Sequence, residues 1–163
     1  MKLYIYYFLL CFALLSCDLR SSTYYYNLAC DEEEKGNLNT AISYLNKAIN
    51  KNPEDIQAYN NRGFDYLELN QHDLANADFH KMLEIDNNCP GAYYALGYLN
   101  YDLKNYNQAI IYFDKALEIK GRGPIFLEHT ENNFTSSQFS LDVPADKIFR
   151  YKKLSEEALK VLN

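Results

Sequence analysis

Residues 39–51 read NTAISYLNKAINK, and residues 107–119 read NQAIIYFDKALEI. The two stretches carry similar residues in the same order and begin 68 positions apart, which is twice 34. Steps of 34 residues connect five columns of similar residues without an insertion: Ala29/Gly63/Gly97, Ala41/Ala75/Ala109, Tyr25/Tyr59/Tyr93, Leu45/Phe79/Phe113 and Ala48/Met82/Ala116. A fixed period of this length indicates that one supersecondary unit is stacked several times.

Each unit has the pattern of two helices joined by a short turn. In the third unit, small and apolar residues follow helical spacing from Tyr93 to Asn100 and again from Ala109 to Leu117. Gly or Asn occurs at each turn, where the backbone that closes a helix is left-handed. The turns fall at Gly36-Asn37, Asn70-Gln71 and Lys104-Asn105. We expect the small residues to let the helices of a hairpin approach closely, with Ala29, Gly63 and Gly97 facing Ala41, Ala75 and Ala109 respectively.

The period, the small-residue columns and the aromatic columns together resemble the tetratricopeptide repeat family. The resemblance covers residues 22–123 and implies an all-α fold, a right-handed α-solenoid of three helical hairpins. The three units are residues 22–55, 56–89 and 90–123. Two residues of the middle unit depart from the family pattern, because Arg62 occupies a usually apolar column and Met82 replaces a usual alanine. We expect both to weaken packing locally without changing the fold.

After the third unit the repeat loses its phase. Glycine and proline at 121, 123 and 124 break the helical pattern, and residues 124–143 form an irregular connection. A connection of this length either covers the end of the stack or takes part in binding. Residues 144–163 are predicted to form a helix that caps the last hairpin. Its apolar stripe consists of Ile148, Tyr151, Leu154, Ala158, Val161 and Leu162.

The first seventeen residues have the features of a bacterial export signal. Lys2 precedes an apolar run from Leu3 to Leu15, which is shorter than the roughly 20 residues that a membrane-spanning helix needs. The run ends in LLSC at residues 14–17, and this sequence resembles the lipobox of bacterial lipoproteins.

The lipobox resemblance implies that residues 1–16 are a lipoprotein signal peptide and that Cys17 is acylated after cleavage. Residues 17–21 are then a short tether, and several acyl chains would hold the protein on the membrane. The protein is expected to be exported and lipid-anchored in a bacterial cell membrane or outer membrane. The alternative is an ordinary secretory signal in which Cys17 has no special role.

Composition and motifs argue against several classes of function. With 22 acidic and 16 basic side chains the net charge is −6, and no basic cluster suits the phosphates of a nucleic acid. The three histidines and the cysteines do not have the spacing of metal ligands. No nucleophile motif or phosphate-binding glycine loop occurs. The sequence therefore predicts a protein that is not an enzyme and has no cofactor, metal site or small-molecule substrate.

The tetratricopeptide resemblance also implies which side chains line the binding groove. By this resemblance the second, fifth, ninth, twelfth and thirteenth positions of each unit face the groove, and we call the face that they form, together with Asn61, the inner surface. Its candidate partner-binding residues are Tyr26, Glu34, Asn60, Asn61, Phe64, Leu67, Glu68, Tyr94, Tyr98, Tyr101 and Asp102. This set is aromatic and acidic. The basic residues by which some family members hold a C-terminal carboxylate are missing, and only Asn61 matches them.

These residues predict an interaction module that binds a basic and apolar segment of another protein. Cations of the partner would contact Glu34, Glu68 and Asp102. They would also meet the ring faces of Tyr94, Tyr98 and Tyr101. In a second interpretation the aromatic residues pack on neighbouring helices and the carboxylates only face water. A different class of function, a structural or self-associating envelope protein with no peptide in the groove, is the alternative to the interaction module.

Overall fold

The computed structural model describes residues 20–121 and 143–162, so Cys17 and nearly all of the 124–143 connection lie outside the described residues. Within these ranges the chain forms seven α-helices and no strand, which confirms the all-α prediction. The helices are α1 (Ser22–Glu34), α2 (Leu38–Lys51), α3 (Ile56–Glu68), α4 (His72–Ile85), α5 (Pro90–Asp102), α6 (Tyr106–Ile119) and α7 (Ala145–Leu162).

The helices repeat with the period read from the sequence. The first helices α1, α3 and α5 each have 13 residues and begin 34 positions apart. The second helices α2, α4 and α6 each have 14 residues and follow the same step. The helices of each pair pack as a hairpin, α2 packs on α3, and α4 packs on α5. This arrangement confirms the predicted stack of three hairpins.

The predicted turns have the backbone conformation that the sequence indicated. Positive φ angles of 75°, 57° and 62° occur at Gly36, Asn70 and Lys104, directly after or next to the ends of α1, α3 and α5. At the junction between the first two units, Asp55 caps the start of α3, and its carboxylate also accepts a hydrogen bond of 2.6 Å from the Ser22 hydroxyl. The first turns of α1 and α3 are thereby connected.

The small-residue columns allow close approach, but to a different neighbour than predicted. A Cβ atom on Gly97 would lie 2.5 Å from Cε1 of Phe113, and a Cβ on Gly63 would overlap Phe79 in the same way. The glycines of the second and third units therefore accommodate a phenylalanine ring of the second helix rather than its alanine. The ring fills the space because it reaches further across the hairpin than an alanine methyl group.

Arg62 and Met82 were predicted to weaken the packing of the middle unit, but their contacts do not support this prediction. Arg62 is half-buried, and its Nε and Nη2 atoms donate to the two carboxylate oxygens of Asp78 at 2.8 and 2.6 Å. It also donates to Asn46 and lies over the ring of Tyr59. Met82 has no exposed surface and fills the core. Arg62 is satisfied because three helices, α2, α3 and α4, supply its partners.

Helix α7 packs on α6 and α5, as expected for a cap on the last hairpin. Ile148 is fully buried, but the predicted apolar stripe fails at Val161 and Leu162, which are 86% and 71% exposed. The 18 residues of α7 are about 27 Å long, against about 21 Å for the 14 residues of α6, so α6 is too short to cover α7 along its whole length. Among the described helices, none combines the length and apolar character needed to span a membrane.

Candidate functional site on the inner surface

The structure divides the predicted inner-surface residues into three groups by exposure. Residues of the thirteenth position point to solvent, three tyrosines are half-buried, and the remaining five residues are buried. The exposed group is Glu34, Glu68 and Asp102, the half-buried group is Tyr26, Tyr98 and Tyr101, and the buried group is Asn60, Asn61, Phe64, Leu67 and Tyr94. The partner-binding role of all these residues stays a prediction, but only the first two groups offer surface to a partner.

The exposed carboxylates form an acidic column along the stack. Glu34, Glu68 and Asp102 occupy the same position in α1, α3 and α5, because each lies 34 residues after the previous one. Asp102 has a histidine near it, with 3.9 Å between its carboxylate and Nδ1 of His72. Each repeat therefore presents one negative charge at the end of its first helix.

The C-terminal helix packs against the inner-surface tyrosines of the third unit and leaves Tyr98 and Tyr101 partly exposed. The ring of Tyr151 on α7 lies 5.1 Å from that of Tyr98, 5.4 Å from that of Tyr101 and 6.1 Å from that of Tyr94, measured between centroids. All three contacts are edge-on, a favourable arrangement for aromatic pairs. The tyrosine faces of the third unit therefore already have a partner within the chain.

Tyr94 differs most from its expected role. It has no exposed surface, its ring also contacts Phe113, and Nζ of Lys147 lies 5.5 Å from the ring centroid. Burial raises the pKa of its hydroxyl, with smaller contributions from Tyr151 and Tyr98. Tyr94 was expected to receive a cation of the partner on its ring face. The structure does not support this expectation, because Lys147 of α7 already lies over the ring. The repeat pattern could not show this, since α7 lies outside the period.

Asn61, the one residue that matches the family's carboxylate-binding set, is already engaged. Its Nδ2 atom donates to both carboxylate oxygens of Glu33, at 3.3 and 3.2 Å. Glu33, at the twelfth position of the first unit, is 5% exposed. Burial raises the pKa of this carboxyl, and the hydrogen bond from Asn61 opposes the effect. The amide of Asn61 therefore serves a carboxylate of this chain.

Asp65, on α3, is a buried carboxyl group that the repeat pattern did not predict. It has no exposed surface, and neither carboxylate oxygen has a hydrogen-bond partner among the described residues. Burial raises the pKa of this carboxyl to about 8, and the nearby charges of Glu33 and Glu68 contribute in the same direction. Its column gave no clear signal, because Asp31 of the first unit is exposed and Leu99 of the third unit is buried.

Among residues 20–121 and 143–162, no group of three His, Cys, Asp or Glu side chains is arranged to hold a metal ion. The two cysteines in these ranges, Cys30 and Cys89, are free thiols. Tyr26 and Cys30 lie next to Glu33 on α1, and burial raises the pKa of both. The geometry of the inner surface therefore combines exposed acidic groups, partly exposed aromatic rings and a small buried polar cluster.

Comparison with known proteins identifies the repeat. The family model described as Tetratricopeptide repeat matches residues 22–55 and 90–122, which are the first and third hairpins. The chain carries tetratricopeptide repeats. The middle hairpin, which contains Arg62 and Met82, is outside the matched ranges, although α3 and α4 have the same lengths and spacing as their counterparts.

Curated proteins that are similar in sequence to this chain include Hsp70-Hsp90 organizing proteins. The chain is 31% identical over 109 residues to the Hsp70-Hsp90 organizing protein of Triticum aestivum, covering 62% of this chain and 19% of that protein. It thus spans about a fifth of the length of the curated relatives it matches.

Two solved structures have the same fold at low sequence identity. The first TPR of Spaghetti (RPAP3) bound to the HSP90 peptide SRMEEVD has a TM-score of 0.66 and 17% identity, covering 88% of this chain and 96% of that chain. The complex of the TPR2B domain of yeast Sti1 with pHsp70 has a TM-score of 0.66 and 19% identity, covering 83% and 96%. These neighbours show the fold, and their names indicate binding of other proteins.

Proposed function

We propose that this protein is an exported, membrane-anchored interaction module that binds a basic and apolar segment of another protein on its inner surface. The observation that carries the proposal is the acidic column, in which Glu34, Glu68 and Asp102 are exposed at the same position of three stacked hairpins. A repeated charge of one sign steers and orients a partner of the opposite sign. Tyr26, Tyr98 and Tyr101 supply partly exposed apolar surface beside it.

The solved structures of the same fold, which contain bound peptides or protein segments, support a binding role for this chain. The acidic inner surface supports a ligand of a different charge from the peptide SRMEEVD. The peptide in the RPAP3 complex, SRMEEVD, has acidic residues towards its end. In this chain the corresponding face is acidic and Asn61 is bonded to Glu33. Like charges facing each other across an interface are unfavourable. A segment that carries Lys or Arg beside apolar residues fits this surface better.

The membrane anchor is a proposal from the lipobox-like residues 14–17 and is tested at Cys17. In cells that process lipoproteins, the wild-type chain should partition into detergent, and Cys17→Ser should appear as soluble or unprocessed protein. Cys11→Ser changes a cysteine within the apolar run, four residues before Leu15. It is the matched control and should behave as the wild type. If Cys17→Ser leaves processing and attachment unchanged, the anchor proposal is wrong.

Charge reversal tests the interaction surface. The full-length protein is used to capture partners from detergent-solubilised native membranes, and captured chains are quantified by mass spectrometry. The double variant Glu68→Lys with Asp102→Lys should lose the partners that the wild type enriches. The matched control, Glu54→Lys with Glu84→Lys, makes the same change in net charge at exposed positions outside the inner surface and should retain them.

A partner that binds through this surface should also depend on salt. Wild-type capture should weaken as ionic strength rises, and the inner-surface double variant should show a flatter dependence. Tyr98→Ala should reduce capture at every salt concentration, because it removes apolar contact rather than charge. Capture that is the same for all these variants, with circular dichroism unchanged, would place the binding site on another surface.

A second candidate function, self-association, is favoured by one separate observation. A mainly apolar cleft between α6 and α7 is lined by residues that include Ile111, Phe149 and Leu117, and the first two of these are exposed. Burial of such a surface is a common basis for association of identical chains. Ile111→Lys should then abolish oligomers in sedimentation experiments while leaving capture of other proteins unchanged.

A further inference from the structure

Three carboxyl groups lie where α1 meets α3. Glu33 on α1 is 5% exposed, Asp65 on α3 has no exposed surface, and Glu68 is an exposed residue one turn after Asp65. Asn61 joins the two helices by its hydrogen bonds to Glu33. In residues 20–121 and 143–162, no Lys or Arg forms an ion pair with any of these three carboxyl groups.

Asp65 is the unusual member of this cluster. Buried polar groups are nearly always hydrogen-bonded, because an unsatisfied one costs free energy. Neither of its oxygens has such a partner in the described part of the chain. Burial, and then the acidic neighbours Glu33 and Glu68, disfavour a negative charge on Asp65. A cation brought to the cluster would relieve this repulsion.

We propose that Glu33, Asp65 and Glu68 form a binding site for the guanidinium group of an arginine side chain of the partner. This inference rests on the proposed function and deepens it, because it names one chemical group that the inner surface recognises. Glu68, the exposed member, contacts the guanidinium, and Glu33 and Asp65 add negative charge from the interface between α1 and α3. The site, which we call the carboxylate cluster, differs from the exposed column because two of its members are buried.

The arrangement suits a guanidinium better than a metal ion or an ammonium group. No three acidic, histidine or cysteine side chains among the described residues gather around a single point as metal ligands do. A guanidinium spreads five donors over a planar group and can satisfy carboxylates that are separated from one another. A guanidinium is also less strongly hydrated than the ammonium of lysine, so it loses less hydration free energy when it enters a partly buried site.

Binding at the carboxylate cluster should be coupled to a proton. Burial, and then the charges of Glu33 and Glu68, raise the pKa of Asp65 to about 8, so the empty site carries a proton at neutral pH. A nearby positive charge favours the ionised carboxyl and lowers its pKa. The arginine therefore displaces the proton, and affinity rises with pH up to about 8. Tyr26 and Cys30, the other titratable groups beside Glu33, have raised pKa values and stay neutral in this range.

The test uses the full-length protein in detergent with carbon-13-labelled aspartate carboxyl groups, observed by NMR. The Asp65 signal is assigned by its loss in Asp65→Asn. The probe is N-acetyl-arginine amide, and N-acetyl-citrulline amide is the neutral control of nearly the same shape. We expect the titration midpoint of Asp65 to fall by about one pH unit or more with the arginine probe and to be unchanged with citrulline.

The affinity of the probe supplies a second measurement. In the wild type, the dissociation constant should fall by up to about tenfold for each pH unit between about 6 and 8, because one proton is released. In Asp65→Asn the affinity should be weaker and independent of pH. Glu33→Gln and Glu68→Gln should weaken binding, whereas Glu54→Gln, a change at an exposed loop residue, should not.

Three results would overturn the assignment: no shift of Asp65 with the arginine probe, an equal shift with N-acetyl-lysine amide or the citrulline control, or unchanged affinity in both glutamine variants. These failures are distinguishable from failure of the proposed function. If charge reversal abolishes partner capture while the probe has no effect, only the carboxylate cluster is wrong. If the probe binds but capture ignores charge reversal, the proposed interaction surface is wrong.

Discussion

Replacing Gly97 with alanine tests the packing inside the third hairpin. Gly97 lies in the middle of α5, where an alanine Cβ would be 2.5, 2.6 and 3.1 Å from the Cε1, Cδ1 and Cζ atoms of Phe113. Phe113 has no exposed surface, and its ring contacts those of Tyr94 and Tyr151. The ring therefore has little room to move away from the added methyl group.

Two effects of opposite sign determine the result. In an exposed helix, Gly→Ala stabilises by about 1 kcal/mol, because alanine loses less backbone entropy on folding. Overpacking a core contact costs about 1–3 kcal/mol, and contacts below 3.0 Å with a confined ring favour the upper part of that range. We expect Gly97→Ala to lower the free energy of unfolding by about 1–2 kcal/mol. The melting temperature should fall by about 2–4 °C for each kcal/mol.

The first hairpin suggests how to repair the substitution. It carries Ala29 and Leu45 at the positions of Gly97 and Phe113, and both are fully buried. Phe113→Leu alone should destabilise, because it leaves a cavity. In combination with Gly97→Ala, the smaller side chain makes room for the methyl group. The double variant should therefore be more stable than the sum of the single variants predicts, with a coupling of at least about 1 kcal/mol.

The assay is urea unfolding followed by circular dichroism, applied to the wild type, both single variants and the double variant. Gly63→Ala with Phe79→Leu is a parallel cycle in the middle hairpin and should give coupling of the same sign. The reasoning is refuted if Gly97→Ala is neutral or stabilising, or if the two effects in the cycle are additive. Either result would mean that the hairpin adjusts without resistance.

Two further predictions concern Asp65 and the C-terminal helix. The pKa of Asp65 is about 8 when folded and near 4 when unfolded, so the folded state binds its proton more tightly and stability falls as pH rises from about 4 to about 8. Asp65→Asn should remove this fall, so its stability relative to that of the wild type should rise by on the order of 4 kcal/mol between about pH 4 and about pH 7. Urea unfolding across that range measures it, and an unchanged pH profile contradicts the assignment. Deleting residues 144–163 should expose Tyr94 and Phe113 and cause aggregation in light-scattering measurements. A truncated protein that stays monomeric with the wild-type melting temperature would show that α7 does not cap the stack.

Part of the candidate site could be predicted from the repeat and part could not. The exposed carboxylates Glu34, Glu68 and Asp102 occupy one column, and the structure places all three on the surface. The aromatic residues of the same face were expected to be available, yet Tyr94 is buried under Tyr151 and Lys147. The column gives each residue a position on its helix, but exposure also depends on which later segment packs there.

The amino-acid sequence by itself determined the number of hairpins, their helices and their turns. These features depend on interactions between residues close in the chain, which recur every 34 positions, and the left-handed residues Gly36, Asn70 and Lys104 follow the same period. Only the tertiary structure decided that α7 packs on the third unit and that Asp65 is buried with no hydrogen-bond partner in residues 20–121 and 143–162. The physical reason is that burial and electrostatic interaction arise from residues far apart in the chain, and α7 lies outside the period that made the rest predictable.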